Sequence, residues 1–162
     1  MARLLLLLLA ATAHCALARS CGDLTVTGTV NSDCTSATSV TITLAAAGDY
    51  SVLLNLLQRV TNGVTVNVQG SSVRVLYLQM RALESIGGGL TIAVTGGGSQ
   101  IVAAEVDALQ TLGGDLSITT SGVGGQIGNV LLHKLLHVGG SVFLGDSTVG
   151  THVGEIGAVH TK

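Results

Sequence analysis

The chain has 162 residues with a formal net charge of -2, and only 10% of them are charged. So small a charge, with no basic stripe interleaved with aromatics, argues against a nucleic-acid partner or an anionic membrane surface. The composition is 47% apolar yet 2% aromatic, with 23 glycines, no proline, no tryptophan and one phenylalanine, Phe143. That mixture argues against a core filled by rings and against a disordered chain, and suits the narrow, layered interior of a repeat protein.

The first element is a processing signal. Arg3 supplies a positive n-region, Leu4 to Ala11 an apolar h-region, and Ala16-Leu17-Ala18 a small-x-small cleavage site before Arg19. The apolar run falls short of the roughly 20 residues a spanning helix needs. Cleavage removes Cys15 and leaves Cys21 and Cys34 in an oxidising route. They are most simply one disulfide, closing a loop of about 13 residues and worth about 3 kcal/mol; the alternative is two free thiols. No CxxC spacing suggests redox or zinc chemistry.

Beyond the cysteines the chain repeats, with a period of about 26 residues that falls in the range of solenoids. Ala82-Leu83-Glu84-Ser85-Ile86-Gly87-Gly88-Gly89-Leu90-Thr91-Ile92 is followed one period later by Ala108-Leu109-Gln110-Thr111-Leu112-Gly113-Gly114-Asp115-Leu116-Ser117-Ile118, and then by the unit opening at Lys134-Leu135. A weaker copy starts at Leu56. Apolar columns run through all four units without a gap: Leu57, Leu83, Leu109 and Leu135; Val60, Ile86, Leu112 and Val138; Val64, Leu90, Leu116 and Val142; Val66, Ile92, Ile118 and Leu144. Later in each unit Val75, Ile101, Ile127 and Val153 align, as do Leu78, Ala104, Val130 and Ile156.

Within a unit, Val64-Thr65-Val66-Asn67-Val68 and Leu90-Thr91-Ile92-Ala93-Val94 alternate apolar with small or polar residues, the period of a strand buried on one face. Stacked units place such strands side by side as a parallel sheet, about 4.8 Å apart. Gly87-Gly88, Gly113-Gly114 and Gly139-Gly140 suit one tight corner, and Gly96-Gly97-Gly98 with Gly122, Gly124 and Gly125 a second. Leu76 to Leu83 and Val102 to Leu109 fit either a short helical turn or another strand.

The words Leu83-Glu84-Ser85-Ile86-Gly87-Gly88-Gly89-Leu90-Thr91-Ile92 and Leu109-Gln110-Thr111-Leu112-Gly113-Gly114-Asp115-Leu116-Ser117-Ile118 resemble the repeat of receptor L domains. These are the leucine-rich-repeat-like β-helical domains of insulin and EGF receptors, with relatives among fungal cell-wall surface proteins. The resemblance covers roughly residues 21 to 160. It implies a mainly β fold, a right-handed single-stranded β-helix of 26-residue coils, with an N-terminal cap closed by a Cys21–Cys34 disulfide. It also implies an extracellular, non-catalytic binding module. The motif is structural, so no ligand-binding residue carries over from the family. The expected organisation is a signal peptide over 1–18, a cap and first irregular coil over 19–56, and four coils over 57–162, bounded as 57–82, 83–108, 109–134 and 135–160. The chain lacks an N-glycosylation sequon, a transmembrane segment, a kinase and the hydrophobic tail of a GPI signal. It stops at Lys162 where another unit would begin. Either it is a fragment or short paralogue, or a partner associates through the uncapped C-terminal coil.

Four features invite a chemical reading. His133 and His137 stand four apart, as zinc ligands sometimes do, but without a metalloprotease glutamate between them. The register puts His133 in a column with Arg81 and Asp107, and His137 with Arg59, Ser85 and Thr111; both columns are polar and read as outward. Glu105 and Asp107 would share one face of a strand, as an acid–base pair requires, but sugar-stacking aromatics and a basic cleft are nearly absent. The glycine runs lack the Gly-Lys-Ser/Thr ending of a phosphate loop. Finally, outward strand positions form hydroxyl-rich columns: Thr41, Thr65, Thr91 and Ser117, with Asn67 and Thr119 two residues on, interrupted at Phe143. Strand propensity alone accounts for threonine at such positions, while a flat Thr/Ser array also suits ordered water, as in ice-binding β-solenoids.

The sequence thus predicts a secreted or cell-surface recognition module with no enzymatic activity, no cofactor and no metal. Its expected partner is an extracellular protein or glycan. The contact face would comprise Thr41, Thr65, Asn67, Thr91, Ser117, Thr119 and Phe143, and the alternative is an ice-binding or surface-adsorbing solenoid.

Overall fold

The computed structural model describes residues 19–146 and 152–153. Residues 1–18, where a signal peptide is predicted, and Ile156 lie outside the described residues. Within them every regular element is a strand, and the chain winds as a β-solenoid. The stretches that allowed either a helical turn or a strand resolve as strands Val73–Gln79 and Gln100–Glu105, each followed by a turn.

Three parallel sheets run along the solenoid axis. The first contains Asp23–Val26, Ser39–Leu44, Val64–Val68, Leu90–Val94, Leu116–Thr120 and Val142–Asp146, paired in chain order. The second stacks Val30–Asn31, Gly48–Leu53, Val73–Gln79, Gln100–Glu105, Gln126–Leu131 and His152–Val153. The third is built from two-residue strands: Ser36–Ala37, Arg59–Val60, Ser85–Ile86, Thr111–Leu112 and His137–Val138. Each coil between Asp23 and Val138 contributes one strand to each sheet, so neighbouring strands belong to successive turns of the chain.

The register gives the predicted repeat a geometric meaning. Val64 pairs with Leu90, Leu90 with Leu116 and Leu116 with Val142, each step one full sequence period. Coils nearer the N-terminus use less chain: Val40 pairs with Val64, and Leu24 already with Val40. The in-register stack places Val66 over Ile92 over Ile118, and Val75 over Ile101 over Ile127, inside one continuous core. These side chains are 0–1% exposed, and each contributes roughly 1.5–3 kcal/mol of burial. Small β-branched and Leu side chains fill the interior because one coil offers only a thin cross-section.

In the second sheet the strict alternation fails. Val75 and Leu78 both point inward, and Ile101 and Ala104 repeat the pattern. Two consecutive residues, Leu76-Tyr77 and then Val102-Ala103, therefore leave the core together at a bend.

The two glycine corners have different causes. At the first, a Cβ on Gly87 would collide with the Thr61 carbonyl of the coil beneath, and one on Gly113 with that of Gly87. Here glycine answers a close backbone approach, not an unusual φ. At the second, Gly98 and Gly124 adopt φ of 63° and 70°, and Ser72, one coil earlier, holds 58° with a side chain attached. The left-handed region is the reason for glycine at those positions.

The predicted disulfide is present. Cys21 and Cys34 are joined with a Cα–Cα distance of 5.9 Å, and Cys34 is buried against the first core layer. Beside it the exposed Arg19 donates to both carboxylate oxygens of Asp33 at 2.7 Å.

Candidate contact surfaces

The first sheet presents its outward face as two columns. Thr25, Thr41, Thr65, Thr91, Ser117 and Phe143 are successive pairing partners, and two residues on so are Thr43, Asn67, Ala93, Thr119 and Gly145. Their direction follows from the pleat: the alternate residues Val40, Ile42 and Leu44, and Leu90, Ile92 and Val94, are buried. Hydroxyls therefore recur about 4.8 Å apart between coils and about 6.7 Å apart along a strand. The structure brings all the sequence-predicted face residues, Thr41, Thr65, Asn67, Thr91, Ser117, Thr119 and Phe143, onto this one surface.

Neither column carries a charge between Thr25 and Gly145. The carboxylates at the strand starts bond locally: the Ser39 hydroxyl donates to Asp23 at 2.6 Å, and the Ser141 amide donates to Asp115 at 2.7 Å. Ala93 leaves a gap in the second column. Phe143, 59% exposed, replaces the hydroxyl at the C-terminal end of the first.

The ionisable residues singled out from the sequence are separated by their partners. Glu105 and Asp107 do not act on one point. The Glu105 carboxylate takes Arg81 Nε at 2.5 Å and Gln79 Nε2 at 3.2 Å, while Asp107 holds His133 Nδ1 at 2.8 Å. The hydrogen bond and charge of Glu105 raise the Arg81 pKa above its usual value. Gln79 extends the Glu105 contact another coil by accepting from Asn55 Nδ2 at 3.2 Å. The result is an inter-coil polar ladder, Asn55–Gln79–Glu105–Arg81, at the end of the second sheet. Its bonded members lie about one coil apart in the chain, and the sequence reading missed it. The recurrence of polar residues at the end of this strand was its one available signal.

His137 lies elsewhere. It belongs to the third sheet, in a pairing column with Ser36, Arg59, Ser85 and Thr111. Beside this column runs an open groove of about 370 Å³. One wall is the polar column from Arg59 to His137, the floor includes Val60, Ile86 and Leu112, and the other wall is Thr61, Gly87 and Gly113. An adjoining recess of about 290 Å³ continues toward the N-terminus past Gln58 and Ser36, sharing Arg59 and Ser85. The polar column was legible in the sequence, but the groove beside it was not.

Among the described residues no three His, Cys, Asp or Glu side chains gather as a metal-binding group, and no helix is long and apolar enough to cross a membrane. Comparison with protein-family models, with curated proteins and with solved structures finds no match for this chain.

Proposed function

We propose that the protein is a secreted or cell-surface recognition module of the receptor L-domain kind, non-catalytic, binding an extracellular protein or glycan through a face of its solenoid. The observation that carries this reading is the first sheet: a neutral hydroxyl column from Thr25 to Ser117, with a second neutral column of Thr43, Asn67, Ala93 and Thr119 beside it, both held in register over successive coils. The strands beneath are anchored by fully buried side chains, so the face is rigid before any partner arrives. Affinity then comes from shape and many hydrogen bonds without an ordering cost. The Cys21–Cys34 disulfide is compatible with an oxidising, extracellular compartment. A non-catalytic role fits Glu105 and Asp107, which are already engaged by Arg81 and His133 respectively.

The test is binding of purified protein to arrays of extracellular domains and neutral glycans, with Thr91→Tyr and Thr65→Tyr beside the parent. The expected result is a saturable ligand whose affinity drops at least tenfold in both variants while the unfolding midpoint holds. A ligand indifferent to both substitutions would remove the sheet from the account.

A second reading rests on one specific feature of the same face. Thr41 and Thr43 flank Ile42, and Ser117 and Thr119 flank Ile118, within the strands Ser39–Leu44 and Leu116–Thr120, so in these two strands hydroxyls stand two residues apart along the strand, beside the column that repeats one coil apart across the sheet. A flat lattice of this kind suits adsorption to ice. Inhibition of ice recrystallisation that disappears in Thr91→Tyr supports this reading; its absence in the parent protein rejects it.

A further inference from the structure

We propose that the groove along the third sheet is a second binding site, and that its ligand is an extended segment of an acidic polysaccharide running parallel to the solenoid axis. This groove lies on the third sheet, away from the threonine face of the first.

Three observations lead to it. The first is periodicity. Arg59, Ser85, Thr111 and His137 are consecutive pairing partners, one per coil, so a polar side chain recurs every ~4.8 Å along one wall. That step is close to the length of one pyranose in an extended chain. A linear glycan laid in the groove therefore meets one hydrogen-bonding group per sugar, with Ser85 and Thr111 suited to sugar hydroxyls.

The second is the opposite wall. After Thr61 the equivalent positions are Gly87 and Gly113, held to glycine by backbone carbonyls of the coil beneath. Close packing of coils thus strips this wall of side chains and leaves it open to a ligand as thick as a sugar ring. Bulk cannot be restored there without breaking the stack.

The third is charge. Arg19, Arg74 and Arg81 each pair with a carboxylate, Asp33, Asp49 and Glu105 respectively. Among the described residues Arg59 is the arginine with no ion pair, and it lines both the groove and the adjoining recess. Glu84 lines that recess as well, without pairing to Arg59. A guanidinium free in a groove of hydroxyls selects a planar anion, the carboxylate of a uronic acid or a sulfate ester, through its fork of donors. An acidic peptide could offer the anion but not one hydroxyl-bearing ring per coil.

The experiment is calorimetric titration of the full mature chain with four probes: a tetragalacturonate, a heparin-derived tetrasaccharide, neutral cellotetraose and poly-glutamate. The proposal expects saturable binding of an acidic oligosaccharide, the preferred one identifying carboxylate or sulfate as the anion. It expects at least a tenfold loss in Arg59→Ser and in Ser85→Trp, with Arg74→Ser on the second sheet within twofold of the parent. Arg59 and Ser85 are surface positions, and unchanged urea midpoints confirm that the variants fold. Binding that survives both groove substitutions, cellotetraose or poly-glutamate binding as tightly as the acidic sugars, or no binding by any probe, each overturns it. Thr91→Tyr leaves the groove untouched and Arg59→Ser leaves the threonine face untouched, so the two readings fail separately.

Discussion

Two alanine substitutions at neighbouring corner glycines should move stability in opposite directions. Gly122 sits where a Cβ would lie 2.5 Å from the Gly96 carbonyl oxygen and 2.8 Å from that of Thr95. Both atoms belong to the backbone of the coil beneath, so relief requires the coils to part by several tenths of an ångström. Overpacking of this kind costs typically 1–3 kcal/mol, and the absence of any side chain that could swing aside places Gly122→Ala at about 2–3 kcal/mol. In a chain of this length that lowers Tm by roughly 5–10 °C. Gly97 is the contrast. A Cβ there meets only the Val123 carbonyl at 3.6 Å, an ordinary contact, and Val123 itself occupies the matching position one coil on. Gly97→Ala should therefore stabilise by about 0.4–1 kcal/mol, by restricting the unfolded chain. Urea unfolding followed by far-UV circular dichroism measures both. If Gly122→Ala proves as neutral as an ordinary surface substitution, within about 0.5 kcal/mol, the coils do not approach as closely as described, and the explanation of the glycine columns is wrong.

Other substitutions probe other terms. Ile92→Ala, in a fully buried column, should cost about 2–5 kcal/mol, whereas Thr91→Ala on the outward face should stay within about 0.5 kcal/mol; a larger loss from Thr91→Ala than from Ile92→Ala in the same unfolding assay would mean the pleat faces the other way. Ser72→Gly relieves a side chain held at φ 58°, and after the extra unfolded-state entropy of glycine the net gain should be about 0.5 kcal/mol, read as a higher urea midpoint. Replacing Cys21 and Cys34 together by serine removes a 13-residue cross-link and should cost about 3 kcal/mol; a reductant should then shift the parent's midpoint but not the variant's. The hydrogen bond from Arg19 holds the Asp33 carboxyl below the usual carboxylate range. Its contribution to stability is present above the ordinary aspartate pKa and is lost as pH falls through the lowered folded value. An NMR titration of Asp33 should shift upward in Arg19→Ala, and an unchanged midpoint would show that the pair does not form in solution.

Much of the fold was legible because every coil solves the same packing problem. A residue such as Ile92 must match the one above and the one below, so the period survives in the apolar columns while outward positions vary. Legibility ended where neighbouring coils differ. The shorter step from Val40 to Val64 breaks the period. The bend that sends Leu76 and Tyr77 outward together defeats a two-residue alternation. The glycine pairs could be assigned to corners, but not to a cause, because a carbonyl in the coil beneath Gly87 leaves no mark in the sequence near Gly87.

The candidate surfaces divide in the same way. The hydroxyl columns could be read from alignment alone, since Thr41, Thr65, Thr91 and Ser117 need only the register. The Asn55–Gln79–Glu105–Arg81 ladder and the groove beside Arg59 depend on side-chain reach between coils and on an empty wall. The residues recur from coil to coil, but which of them touch, and the space left beside them, depend on three-dimensional distances that the sequence does not carry.

Successive turns of the chain stack in register along one axis, and pulsed EPR distances between turns are the sharpest check of that stack. Spin labels are placed pairwise at Ser117 and, in turn, at Thr65, Thr41 and Thr25, on the outward face of the first sheet. The stack predicts separations that grow by about 4.8 Å with each added coil, reaching roughly 19 Å of backbone distance for Thr25. Distances that fail to increase steadily, or that place Thr25 nearer to Ser117 than Thr65 is, would contradict the solenoid.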